Sequence, residues 1–147
     1  MVVDHCVFYG CKITVVYWTG RARRCAMRST LAVGNYVTGA CLCGTAEDFE
    51  FSKSVMSANL SAMLFQGPPR KYNLATSLFA GNQNLFGSGS GPPVNFRPLP
   101  SSILELPSTS KVIDQPVELE LDQSRRDYVH IAKGTPGSEI AAGLFSK

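Results

Sequence analysis

Four arginines, Arg21, Arg23, Arg24 and Arg28, follow directly on Tyr17 and Trp18. Guanidinium groups pair with phosphate, and neighbouring rings can stack on bases, so this stretch could contact nucleic acid, RNA included. On an extended strand Arg21 and Arg23 would share one face and Arg24 and Arg28 the other, which divides the charge unless a turn gathers it. Two alternatives compete. The arginines could lie on an exposed loop or edge, held by acids such as Glu118, Glu120 and Asp122. They could also anchor a protein interface, where Arg, Trp and Tyr are enriched.

The five cysteines, Cys6, Cys11, Cys25, Cys41 and Cys43, all fall in the first 43 residues, together with His5. These are soft-metal ligand types. Cys6 and Cys11 could span a turn at Gly10, but Cys41 and Cys43 are too close for the usual zinc knuckle. Cys6, Cys11, Cys41 and Cys43 therefore stand only as weak metal candidates, and no metal or other cofactor is expected. An odd count argues against a disulfide framework. Small apolar side chains in a sheet core are the favoured reading. His130 has Asp127 nearby in sequence and Glu120 across an expected hairpin. That could make an acid–base pair, although a structural histidine explains it better. No serine-nucleophile motif, phosphate loop or dinucleotide fingerprint is present, and the GSGSG run at 87–91 reads as linker. Nothing assembles into a catalytic site.

Two further motifs stand in the chain. Arg97, Pro98, Leu99 and Pro100 make a partial proline-rich ligand, and Phe86, Phe96, Arg97 and Leu99 are candidate partner-binding residues. Asn59-Leu60-Ser61 is a formal glycosylation sequon placed inside an expected helix, and it is discounted.

The elements that must position these groups read as follows. At 147 residues with 44% hydrophobic content, the chain suits one domain with a real core. Residues 1–44 carry five basic groups against Asp4, a net of +4; the total of +3 leaves −1 for the remainder. Residues 2–9, 11–18, 21–33 and 36–43 read as strands, with Gly34-Asn35 as a hairpin turn, so an antiparallel β-meander is expected. From Thr45 onward a capping-box pattern and the spacing of Phe49, Met56, Leu60, Met63 and Leu64 predict a packing helix over 46–66. A second, short helix is expected over 73–80. Residues 81–110, rich in Pro, Gly and Ser, read as an extended connector studded with apolar anchors. Residues 117–121 and 127–133 read as a C-terminal hairpin, followed by one or two helical turns over 138–145. No internal repeat is apparent. The expected fold class is α+β, organised as a core over 1–80, a connector over 81–110 and a C-terminal unit over 111–147 packed on the same domain.

No apolar run approaches the ~20 residues of a membrane helix, and no secretory leader is evident, so an intracellular setting (cytoplasm, organelle interior or virion) is expected. Lacking a catalytic constellation, the chain is expected to be a non-enzymatic structural or interaction protein. It would be a subunit of a viral-particle or ribonucleoprotein type of assembly, with a protein partner or self-association. A nucleic-acid-binding module using the arginine cluster, and a small enzyme with a Cys or His centre, are the alternatives.

Overall fold

The computed structural model describes residues 1–12, 16–18, 23–36, 38–42, 47–65, 70–88, 97–98, 105–121, 124, 129–140 and 142. Within these, Val2 pairs with Ala26 and Ala26 with Glu50, while Val7 pairs with Leu31 and Leu31 with Val55, all in parallel. Each step is 24 residues, as 26 − 2 and 50 − 26 show, and it shortens to 23 where Val55 meets Leu78. The chain is therefore a parallel β-helix, each coil laying one strand on each of three sheets.

The first coil holds β1 (Val2–Asp4), β2 (Val7–Tyr9) and β3 (Val16–Trp18); the second holds β4 (Ala26–Arg28), β5 (Leu31–Val33) and β6 (Thr38–Leu42). The third holds β7 (Glu47–Ser52), β8 (Val55–Ser57) and β9 (Ser61–Phe65), and the fourth β10 (Arg70–Asn73), β11 (Leu78–Ala80) and β12 (Asn84–Ser88). β13 (Arg97–Pro98) and β14 (Lys111–Ile113) follow, then β15 (Leu119–Leu121) and β16 (Val129–Ile131). The sheets run β1-β4-β7-β10, β2-β5-β8-β11-β14, and β3-β6-β9-β12 with β13 added antiparallel at its edge.

Corners at fixed positions make this geometry. His5, Ser29, Lys53 and Thr76 turn the chain from the first sheet to the second with φ between 45° and 51°. Gly10, Gly34, Ala58 and Gly81 turn it from the second sheet to the third, also at positive φ. A left-handed residue costs a non-glycine about 1 kcal/mol. Stacking offsets that cost, because each corner hands its neighbour a hydrogen bond: Gly10 N–H to Val33 O, Gly34 N–H to Ser57 O, Ala58 N–H to Ala80 O and Gly81 N–H to Ile113 O.

Two columns of side chains line these corners. Asn35 Oδ1 accepts from Cys11 N–H, Asn59 Oδ1 from Asn35 N–H, and Asn82 Oδ1 from Asn59 N–H, at 3.0, 3.1 and 3.1 Å. At the other corner Thr30 N–H donates to Ser54 Oγ and Ser77 N–H to Ser110 Oγ. Cys6 and Cys11 occupy first-coil positions of these columns, since 30 − 6 and 35 − 11 both equal 24.

Inside the coil lies one apolar core of Met27, Phe49, Phe51, Met56, Met63, Phe65, Phe79 and Phe86 with smaller neighbours. The Phe79 ring meets Phe51 at 5.4 Å and Phe86 edge-on at 5.3 Å. A second cluster covers the outer face of the middle sheet, where Leu31, Val33, Val55, Leu78 and Ala80 are roofed by Val117, Leu119, Ile131 and Ile140. The C-terminal segment is thus a strap laid across the outside of the coil. Within it Leu119 pairs antiparallel with Ile131, a hairpin where the sequence placed one.

Several expectations are overturned. The fold is not α+β: no helix occurs among the described residues, and where a packing helix is expected over 46–66, residues 47–65 are a run of three strands. Lys53 and Ala58, both at positive φ, break any helix there. The seven-residue spacing of Phe49, Met56 and Met63 mimics a helical stripe because each sits on a different sheet and all three point into the same interior. Residues 73–80 end β10 and form β11, and 138–140 make turns. The meander is parallel, and Gly34-Asn35 is a corner between sheets, not a hairpin. A repeat is present after all, carried by position and not by residue identity. Part of the connector is sheet, since β12 pairs with β9.

Candidate functional site

Three of the arginines gather on the first sheet. Arg28 reaches Glu50 at 2.5 Å and Arg23 reaches Glu47 at 3.1 Å. The acids come from the next coil and not from the C-terminal hairpin: Glu47 lies directly opposite Arg23, and Glu50 lies diagonally, two residues before the Ser52 that faces Arg28. Arg24, at φ 51° like its neighbours one and two coils on, Asp48 and Lys71, is exposed. With Asp48, Arg28, Glu50 and Val2 it borders a shallow hollow of about 260 Å³ whose charges are mixed. Arg21 lies outside the described residues. Tyr17 and Trp18 belong to β3 on the third sheet, their backbones opposite Cys41 and Leu42, so the structure does not put them on the arginines' sheet.

Glu50 is held below the usual carboxylate range, first by its hydrogen bond from Arg28 and also by the Ser52 hydroxyl, with burial opposing. A lowered folded-state pKa stabilises the fold above the unfolded value of roughly 4.3 and loses that contribution as pH falls through the folded value. Arg28→Gln should therefore lower Tm at neutral pH, and the gap to the parent should close in acid. An equal gap at both pH values would exclude the pair as its source.

The described thiols do not converge. Cys25 is 5% exposed in the core, and burial pushes its thiol up. It should resist a thiol reagent in the native protein and react only on unfolding. Comparing the parent with Cys25→Ser would check this, since a native-state burst that disappears in the variant would contradict it. Cys6 Sγ donates to Asp4 O at 3.2 Å, and Cys11 ends the asparagine column. Among the described residues, no three His, Cys, Asp or Glu side chains come together as metal ligands. Cys41 lies on β6, and Cys43 lies outside the described residues.

His130 Nε2 lies 3.0 Å from Glu120 Oε2 across the hairpin, as register predicts, with Glu120 exposed. Asp127 lies outside the described residues. Phe86 is 8% exposed and belongs to the core. Arg97 lies on β13, with its backbone opposite Ser88. Phe96 and Leu99 lie outside the described residues. The sequon asparagine, Asn59, is 1% exposed, its amide turned into the column.

What the sequence reading missed is the first coil. Among the described residues, β1, β2 and β3 each end a sheet, paired on one side only. Their nine residues include one charge, Asp4, and no proline. The interior residues Val3 and Phe8 are only partly buried. Outward, Val7 is 37% and Tyr9 71% exposed, and they continue the column of Leu31 and Val33 beyond the strap. Met1 and Val2 are exposed alongside. The signal lay in the sequence as apolar strands without the lysines or prolines that blunt natural sheet edges. Compared with family models, with curated proteins and with solved structures, the chain matched none.

Proposed function

We propose that this chain is a non-enzymatic structural protein that works as a subunit of a larger assembly. The observation that carries the reading is the first coil, where among the described residues three sheet edges are paired on one side only, with Val2 exposed on the first sheet and Val7 and Tyr9 on the second. Such an end is a template for further β-pairing. The rest of the molecule supports a scaffold role. Its buried corner asparagines and serines form columns that stack coils, and two of the three described cluster arginines are engaged by acids. No helix among the described residues is long and apolar enough to cross a membrane.

The test is native mass by light scattering with absorbance at 260 and 280 nm on the same peak. A mass above the 15.9 kDa of one chain, with a protein-only absorbance ratio, is expected. A single chain at every concentration would overturn the reading, and a peak rich in nucleic acid would replace it with the nucleic-acid alternative.

A further inference from the structure

We propose that the first coil is a self-docking surface, and that two copies join head to head through it as a closed two-fold dimer. This rests on the assembly reading and specifies its geometry.

The hydrogen-bonding groups at this end are set by register. Met1 O and His5 N–H bond to the second coil, as do Cys6 O and Gly10 N–H. Alternation along a strand then turns the N–H and C=O of Val2, Asp4, Val7 and Tyr9 toward the open edge. A partner must supply three strands at the spacing of one coil. Another copy of this chain does so. Turning one copy over about a two-fold axis through β2 reverses its strand directions, so every contact becomes antiparallel. β2 then meets β2 of the partner, with Phe8 on the axis and Val7 opposite Tyr9. β1 meets the partner's β3, and β3 meets its β1. All three edges are satisfied by one symmetry operation, and the half-buried Val3 and Phe8 become interior.

The opposite end argues for like-to-like pairing. Its edge strands carry Arg70 and Lys71 on β10, Lys111 on β14 held by Glu139, and Pro98 on β13, which has no N–H to donate. Val112 is 47% exposed there, but basic residues and proline are the devices that keep sheet edges apart. Stacking head to tail would place an apolar edge on that basic one and would grow without limit. Head-to-head docking closes at two.

Charge placement at β2 tests the register. Val7 and Tyr9 face outward, so charged residues there leave the core untouched. In the dimer, Val7→Lys with Tyr9→Lys sets ammonium groups directly opposite each other on both sides of the axis, whereas Val7→Lys with Tyr9→Glu sets each ammonium opposite a carboxylate. Light scattering should give twice the chain mass for the parent, one chain mass for the Lys/Lys variant, and twice again for the Lys/Glu variant, with unchanged circular dichroism throughout. Association of the Lys/Lys variant should weaken at least about tenfold relative to the parent, and that of the Lys/Glu variant should recover. A dimer indifferent to both variants, or a mass that climbs with concentration past two chains, overturns the head-to-head inference while leaving the assembly reading standing. A parent that stays a single chain overturns both.

Discussion

Asn59→Leu should lower the stability of the folded chain by about 2–4 kcal/mol, with Tm falling by roughly 5–15 °C. Asn59 is the middle rung of the asparagine column and 1% exposed. Its Oδ1 accepts from Asn35 N–H at 3.1 Å and from Asn35 Nδ2 at 2.9 Å, and its Nδ2 donates to Ala32 O at 3.0 Å. Leucine fills nearly the same volume, so the change creates little cavity and removes only hydrogen bonds. Asn35 N–H then stays buried without its acceptor, and Ala32 O, in the ladder between β5 and β8, loses its second donor. Each such group costs about 1–3 kcal/mol, against a total stability of about 5–15 kcal/mol for a typical domain. Asn59→Asp separates the two halves of the effect. A carboxylate keeps the acceptor for Asn35 but puts a buried anion against Ala32 O. That variant should be least stable at neutral pH and recover in acid, where a protonated carboxyl can donate. Thermal unfolding followed by circular dichroism at two pH values measures both. A loss for Asn59→Leu of only a degree or two would mean that the column does not hold the coils in register.

The residues that build this fold were visible in the sequence, but their period was not. Alternation marked the C-terminal hairpin correctly as extended, because side-chain direction along a strand is local information, but 2–9 and 21–33, each read as one strand, are broken by the corners at His5 and Ser29 into strands on two sheets. The stacking rule is not local. It asks that Cys11, Asn35, Asn59 and Asn82 occupy one corner, and that Gly10, Gly34, Ala58 and Gly81 occupy the position before it. Four different residue types satisfy those positions between them, and the step slips from 24 to 23, so no repeat stands out by identity. Phe49, Met56 and Met63 then fell on a helical spacing by accident of one residue per sheet. The arginines could be read as a basic cluster, but Glu47 and Glu50 become their partners only once Arg23 and Arg28 are known to stack one coil away. The open first coil could not be found until strands two dozen residues apart were seen to be neighbours.

Gly81→Ala should detach the strap, while Gly34→Ala should do little. Both glycines hold the same corner, at φ +56° and +64°, and Ala58 occupies it between them at 54°. The left-handed conformation therefore costs each substitution about 1 kcal/mol, a cost the chain already tolerates at Ala58. What surrounds the two sites differs. A Cβ on Gly34 meets nothing within 4 Å. A Cβ on Gly81 falls 2.4 Å from Pro116 N and 2.8 Å from Pro116 Cα, which are backbone atoms that cannot rotate away. Pro116 must move, and Val117 follows it: 8% exposed, its N–H bonded to Ser57 Oγ at 2.9 Å. Losing that anchor uncovers Leu31, Val55 and Leu78, each fully buried beneath the strap. Gly81→Ala should therefore bind an apolar dye and be cleaved by protease within residues 116–142 while the coil keeps its β signal. Its Tm should fall several degrees further than that of Gly34→Ala. Gly137 offers a matched contrast, because its added Cβ would meet the Leu78 side chain at 2.4 Å. Trimming Leu78 to Ala should relieve that contact, whereas the same trimming should not rescue Gly81→Ala. Equal losses for Gly81→Ala and Gly34→Ala would show that the strap does not sit against the corner, and the covered face of the middle sheet would need another explanation.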